Sequence, residues 1–145
     1  MMSNFLPYDP GSPPTRPAPS PGETILLELS GLPPTKDRRQ SIRNRKHSRH
    51  STFTALRKSA AIAMAGRAWY FGPVELNLTI FGPNLPERRS LNDYLGGIMD
   101  TLDGSSGQTF SYLPIVFQDD SQVDEAHTEW VENSESSYRL KIIFK

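Results

Sequence analysis

Val74-Glu75-Leu76-Asn77-Leu78-Thr79-Ile80, entered through Gly72-Pro73, is the stretch on which the fold turns. Val74, Leu76, Leu78 and Ile80 alternate with Glu75, Asn77 and Thr79, the period-two pattern of a strand with one buried face. Immediately upstream the period changes. Phe53, Leu56, Ala60 and Ala63 recur at helical spacing, with Arg57 and Lys58 on the other side. Thr52 can cap that helix, which should stop near Gly66. Downstream, Gly82 to Pro86 reads as a loop. A second helix follows, with Ser90 as cap, Asp93 as a capping acid, and a stripe of Leu91, Leu95, Ile98, Met99 and Leu102. It should end in Gly104-Ser105-Ser106-Gly107, and residues 108 to 114 read as loop. Further out, Thr24 to Ser30 is a short apolar run ended by Gly31, a first strand. Near the other end, one strand runs through Ala126, Thr128 and Trp130, and a last one from Tyr138 to Phe144. Strand, helix, strand, helix, strand, strand predicts an α+β fold, a small mixed sheet with two main helices packed on it.

The chain has 145 residues, enough for one domain with a modest core. Residues 1–22 hold seven of the thirteen prolines and little to bury, so the expectation is a disordered Pro-rich leader before a domain at 23–145. There is no cysteine, which excludes disulfides, thiolate zinc sites and cysteine nucleophiles. No segment reads as a signal peptide or a membrane span, and the expectation is a cytoplasmic protein. Formal net charge is zero, but the charges are segregated. Lys36 to Arg67 contains ten Lys or Arg and one acid, whereas Ser90 to Lys145 contains ten acids and three bases. Such asymmetry suits nucleic acid on one side and a cation on the other, or two solvated faces.

Three constellations could carry chemistry. Asp119-Asp120 follows the apolar run Ile115-Val116-Phe117, so its carboxylates are held by structure yet reach solvent, as Mg²⁺ ligands must. At the mouth of the second helix, Arg88 and Arg89 could grip phosphate, with Asn92 and Asp93 as oxygen ligands. Asp100 and Asp103, further along that helix, could be ligands or ordinary surface acids; Asp93 and Asp100 cannot share one ion, since seven residues span about 10 Å. Finally, the basic loop and the helix after it offer Lys36, Arg38, Arg39, Arg43, Arg45, Lys46, Arg49, Arg57 and Lys58 to backbone phosphates. His47 and His50 lack a third ligand nearby, which argues against zinc.

Taken together, the pieces resemble the RusA family of Holliday-junction resolvases. Gly31-Leu32-Pro33-Pro34 matches the family's turn after an early strand, and Gly72 to Ile80 matches the strand before its first acidic motif. Met99-Asp100-Thr101-Leu102-Asp103-Gly104 matches the later part of its helix, and Asp119-Asp120-Ser121-Gln122-Val123 matches its second acidic motif. The likeness covers roughly residues 24 to 145. The first acidic motif departs: where the family has Asp-x-Asp-Asn, this chain has Ser90-Leu91-Asn92-Asp93, and Gly96 stands where the family has a lysine.

The resemblance implies a Mg²⁺-dependent endonuclease resolving branched DNA such as Holliday junctions, a homodimer without a small-molecule cofactor. It implies Asp120 as a metal ligand, joined by Asp93 or Asn92, with Asp119 beside it in a catalytic group of Asp120, Asp119 and Asp93. Arg57, Lys58, Arg88, Arg89 and the basic loop would hold phosphates, fixing the DNA without reading its sequence. Two alternatives belong to other classes: a degenerate module of the same fold that binds nucleic acid without cutting it, and a domain recruited to partners through its Pro-rich leader.

Overall fold

The computed structural model describes residues 14–35, 50–83, 91–103 and 114–145. It shows strand β1 (Thr24–Ser30), helix α1 (His50–Met64), strand β2 (Val74–Gly82), helix α2 (Leu91–Leu102), a 3₁₀ turn (Asp120–Gln122), and strands β3 (Val123–Glu132) and β4 (Ser137–Phe144). The strands form one mixed sheet in the order β1-β4-β2-β3. β4 runs antiparallel to both neighbours, while β2 and β3 are parallel and joined through α2. The α+β class and the element order read from the sequence are what the structure shows.

Register explains why one face is dry. Ile142 lies between Ile25 on β1 and Leu76 on β2, and Leu140 between Leu27 and Leu78. Val74 pairs with Phe144, and Ile80 with Tyr138. All of these are buried, so the alternation on each strand falls on a single shared face. Burying one such aliphatic side chain contributes roughly 1.5–3 kcal/mol. Both helices pack on that face. From α1 come Leu56, Ala60 and Met64, and from α2 come Tyr94, Ile98 and Leu102. The α2 stripe is rotated from expectation: Leu91, Leu95 and Met99 are only half-buried, and Tyr94, Gly97 and Thr101 turn inward instead. A backbone crossing accounts for this. A Cβ on Gly97 would stand 2.2 Å from the Pro34 carbonyl oxygen and 2.7 Å from Thr35 Cα. The turn after β1 therefore lies directly on α2, and only glycine permits it.

The leader is corrected in part. Residues 1–13 lie outside the described residues, but residues 14–22 are docked rather than free. The Thr15 and Arg16 amides donate to Gly66 O at 3.0 and 3.1 Å, and Arg16 Nη1 reaches Ala65 O at 3.0 Å. These contacts occupy carbonyls that the end of α1 leaves open, where Ala65 and Gly66 turn left-handed at φ 53° and 79°. Proline richness reads as disorder, yet here the segment finds partners at a helix end. The Ser90 cap and the Gly104–Gly107 stop lie outside the described residues. Among those described, no helix is long and apolar enough to cross a membrane.

Candidate metal centre

The end of α2 is tied to the segment that follows the second loop. Leu102 O, one of the carbonyls a helix end leaves without an internal partner, accepts from the Ile115 and Val116 amides at 3.1 and 3.2 Å. Val116 O accepts in turn from the Tyr70 amide at 2.8 Å. Val116 and Phe117 are fully buried, and the chain then breaks surface at Gln118, Asp119 and Asp120.

Gln122 fixes what emerges. Its Nε2 donates to Tyr70 O at 2.7 Å and Gly72 O at 2.9 Å, while its Oε1 accepts from the Gln118 and Asp119 amides at 2.8 and 3.0 Å. All the donors and the acceptor of one carboxamide are thus used to clamp the acidic turn onto the entry of β2. The Ser121 hydroxyl donates to the Asp119 carboxylate, and that bond is the main reason its pKa lies below the ordinary value.

The consequence is a convergence. Carboxylate oxygens of Asp100, Asp103 and Asp120 lie within 4.8 Å of one another. Asp100 and Asp103 share a helix face because they are three residues apart. Asp103 is buried, Asp100 half-buried and Asp120 exposed, so the cluster runs from the interior to solvent. Hard divalent cations hold oxygen ligands at about 2.0–2.6 Å, so two ligands of one ion can stand as far as about 5 Å apart. The spacing and the all-carboxylate donor set fit Mg²⁺, Mn²⁺ or Ca²⁺.

The setting of the cluster is electrostatically demanding. A helix end carries partial negative charge, and the last turn of α2 contains no basic residue. The cation comes from α1. Arg57 is fully buried, and its Nη1 donates to Thr101 O at 2.9 Å, between the two aspartates in sequence. Its guanidinium lies 5.8 Å from the centroid of the Phe53 ring.

This corrects the expectation that Arg57 grips DNA phosphate. Four residues after Phe53 and three before Ala60, it belongs to the buried stripe of α1, and no phosphate backbone reaches it there. Lys58 is exposed, as a phosphate contact requires. Lys36, Arg38, Arg39, Arg43, Arg45, Lys46, Arg49, Arg88 and Arg89 lie outside the described residues, as does His47. Of the expected acids, Asp120 joins the cluster. Asp93 and Asp119 join no group of three ligating side chains among the described residues. Asp93 and Asn92 sit in the first turn of α2, the other end from Asp100 and Asp103. The i, i+3 spacing of those two aspartates was the available signal for the site, and it gains meaning only once Asp120 is brought alongside.

A second acidic group, Glu75, Glu125 and His127, lies on the solvent face of β2 and β3. Lys145 Nζ already occupies it, 3.1 Å from both Asp124 and Glu125 and 3.9 Å from Glu75. The Glu125 pKa is lowered chiefly by its hydrogen bond with His127 and also by Lys145, whose own pKa is raised by Asp124 and Glu125. The group is a satisfied ion network.

No model of a known protein family matches this chain, and no curated protein matches it either.

Proposed function

We propose that this chain is a divalent-metal-dependent endonuclease acting on branched DNA such as Holliday junctions, a RusA-like enzyme of recombination and repair in the cytoplasm, working as a homodimer. The observation that carries the proposal is the meeting of Asp100, Asp103 and Asp120 at the end of α2. Mg²⁺ at such a site supplies water activation and charge stabilisation at the leaving oxygen of a phosphodiester. The protein's own part is to hold three carboxylates converged, through Gln122 on one side and the Leu102 carbonyl on the other. The basic half of the chain, with Lys58 on the outer face of α1, supplies the phosphate-binding charge. The resemblance noted in the sequence supports the same reaction, with Asp100 and Asp103 in place of the acids its first motif lacks.

The test is cleavage of a labelled four-way junction, with a linear duplex and a Mg²⁺-free reaction as controls. Asp120→Asn should slow cleavage by roughly 100-fold or more while leaving junction binding intact, since metal charge stabilisation is worth several kcal/mol and 1.36 kcal/mol is tenfold in rate. Tight binding by wild type without cleavage would instead mark a degenerate module retained for binding DNA.

A further inference from the structure

β3 forms one edge of the sheet: β2 pairs with one side of it, and no described strand pairs with the other. Backbone amides and carbonyls of a strand point alternately to its two sides, so half of those on β3 face outward as a template for a further strand. Seven of its ten residues are exposed, Ala126 among them. Ala126 stands in register with Leu76, so the helix layer that buries Leu76 leaves Ala126 open. The two faces of this edge differ in chemistry. On the helix side, Ala126, Thr128 and Trp130 stand in register with Leu76, Leu78 and Ile80, and Trp130 is half-buried against the core. On the solvent side, Glu125, His127 and Glu129 stand in register with Glu75, Asn77 and Thr79. Asp124 and Glu132 add an acid near each end. Lys145 pairs with Asp124 and Glu125, and among the described residues Glu129 and Glu132 meet no cation.

We propose that the open edge of β3 takes an extended basic segment of a partner protein, one whose residues alternate between Lys or Arg and apolar side chains. The proposal is independent of the nuclease reading. An added strand gives the outward amides and carbonyls of β3 their partners, a mode in which main-chain hydrogen bonds supply affinity and alternate side chains supply specificity. Its cations lie beside Glu125 and Glu129, and its apolar residues lie beside Ala126, Thr128 and Trp130, continuing the dry face of the sheet. Charge argues against a second copy of this chain as the occupant. Antiparallel pairing of β3 with itself about Thr128 sets Asp124 against Glu132, and about His127 it sets Glu125 against Glu129. Like charges directly opposite one another destabilise a strand pair. The other edge of the sheet lacks this contrast, since Glu28 is the one charged residue of β1.

The probe is a fluorescein-labelled peptide of alternating Lys and Val, followed by anisotropy as the full chain is titrated in. Three comparison peptides separate strand addition from attraction to charge. One has the same composition with its lysines and valines in two blocks, one is N-methylated on every Lys amide, and one on every Val amide. The alternating peptide should bind, and the block peptide should bind more weakly. Of the two methylated peptides, the one blocked on the side that faces β3 should bind at least about tenfold more weakly than the unmodified peptide, because its main-chain hydrogen bonds are lost. Glu129→Lys should weaken binding about fivefold, whereas Glu28→Lys, the same charge change on β1, should leave it unchanged. Both positions are exposed, so the fold tolerates either substitution. No binding of the alternating peptide overturns the proposal and leaves the acids as guards that keep the edge from pairing. Binding that the block peptide or both methylated peptides fully retain, or that Glu28→Lys weakens as much as Glu129→Lys, marks attraction to charge alone and also overturns it. Sedimentation of the free chain reads the remaining occupant: a dimer that Glu129→Lys strengthens or breaks puts a second copy on β3 and overturns the proposal.

Discussion

At the scale of single residues, two side chains set the strongest expectations. Gln122 uses its whole carboxamide to bind backbone on both sides of the acidic turn. Gln122→Ala deletes four hydrogen bonds, some part-exposed, so a loss of about 2 kcal/mol is expected by urea denaturation. Mn²⁺ affinity should weaken with it, because Asp120 loses its anchor. Unchanged stability would mean the turn is held by something else. Tyr138 presents the opposite case. It is buried, its hydroxyl finds no hydrogen-bond partner among the described residues, and burial drives its pKa far above the ordinary phenol value. A buried hydroxyl without a partner is a cost rather than a contact. Tyr138→Phe should therefore raise stability by up to about 1 kcal/mol in the same assay. A clear loss would reveal a partner for that hydroxyl.

At the scale of elements, the crossing of the Pro33-Pro34-Thr35 turn over α2 decides how that helix sits. Helix propensity alone favours Gly97→Ala by about 1 kcal/mol. The added methyl would meet the Pro34 carbonyl at 2.2 Å, which is backbone and cannot swing away. Overpacking of that kind costs roughly 1–3 kcal/mol, so the substitution should destabilise on balance. A stabilised variant would show that the turn yields easily. The elements also show how far a sequence can be read. The strands were legible because alternation on β1, β2 and β4 matches one buried face in register. The rotation of α2 was not, because nothing in its own residues announces that a turn some sixty positions earlier will lie on Gly97. Arg57 is a further case. The charge pattern set it with Lys58 on the side opposite Phe53, Leu56 and Ala60, although it stands four residues after Phe53, and the deciding fact is the buried Thr101 carbonyl that its Nη1 reaches from α1.

At the scale of the whole molecule, the sheet brings one acidic corner together. It runs β2 into α2 and returns through the segment at Ile115–Phe117, so that the end of the helix and the start of β3 meet at one corner. Asp100, Asp103 and Asp120 come from those two places, separated in sequence but adjacent across the Leu102–Ile115 hydrogen bond. That Asp120 breaks surface after a buried apolar run was legible in the sequence. Its partners were not, because the mouth of α2 offered Asp93 and Asn92 as nearer substitutes for a familiar motif, and only the tertiary return selects the other end of the helix.

Whether the corner at the end of α2 holds a metal can be read from a crystal of the full chain soaked in Mn²⁺, with anomalous difference density measured at the manganese edge. One peak is expected at this corner, at about 2.2 Å from carboxylate oxygens of Asp100, Asp103 and Asp120. A peak at Glu75, Glu125 and His127 instead, or none at the end of α2, would contradict it.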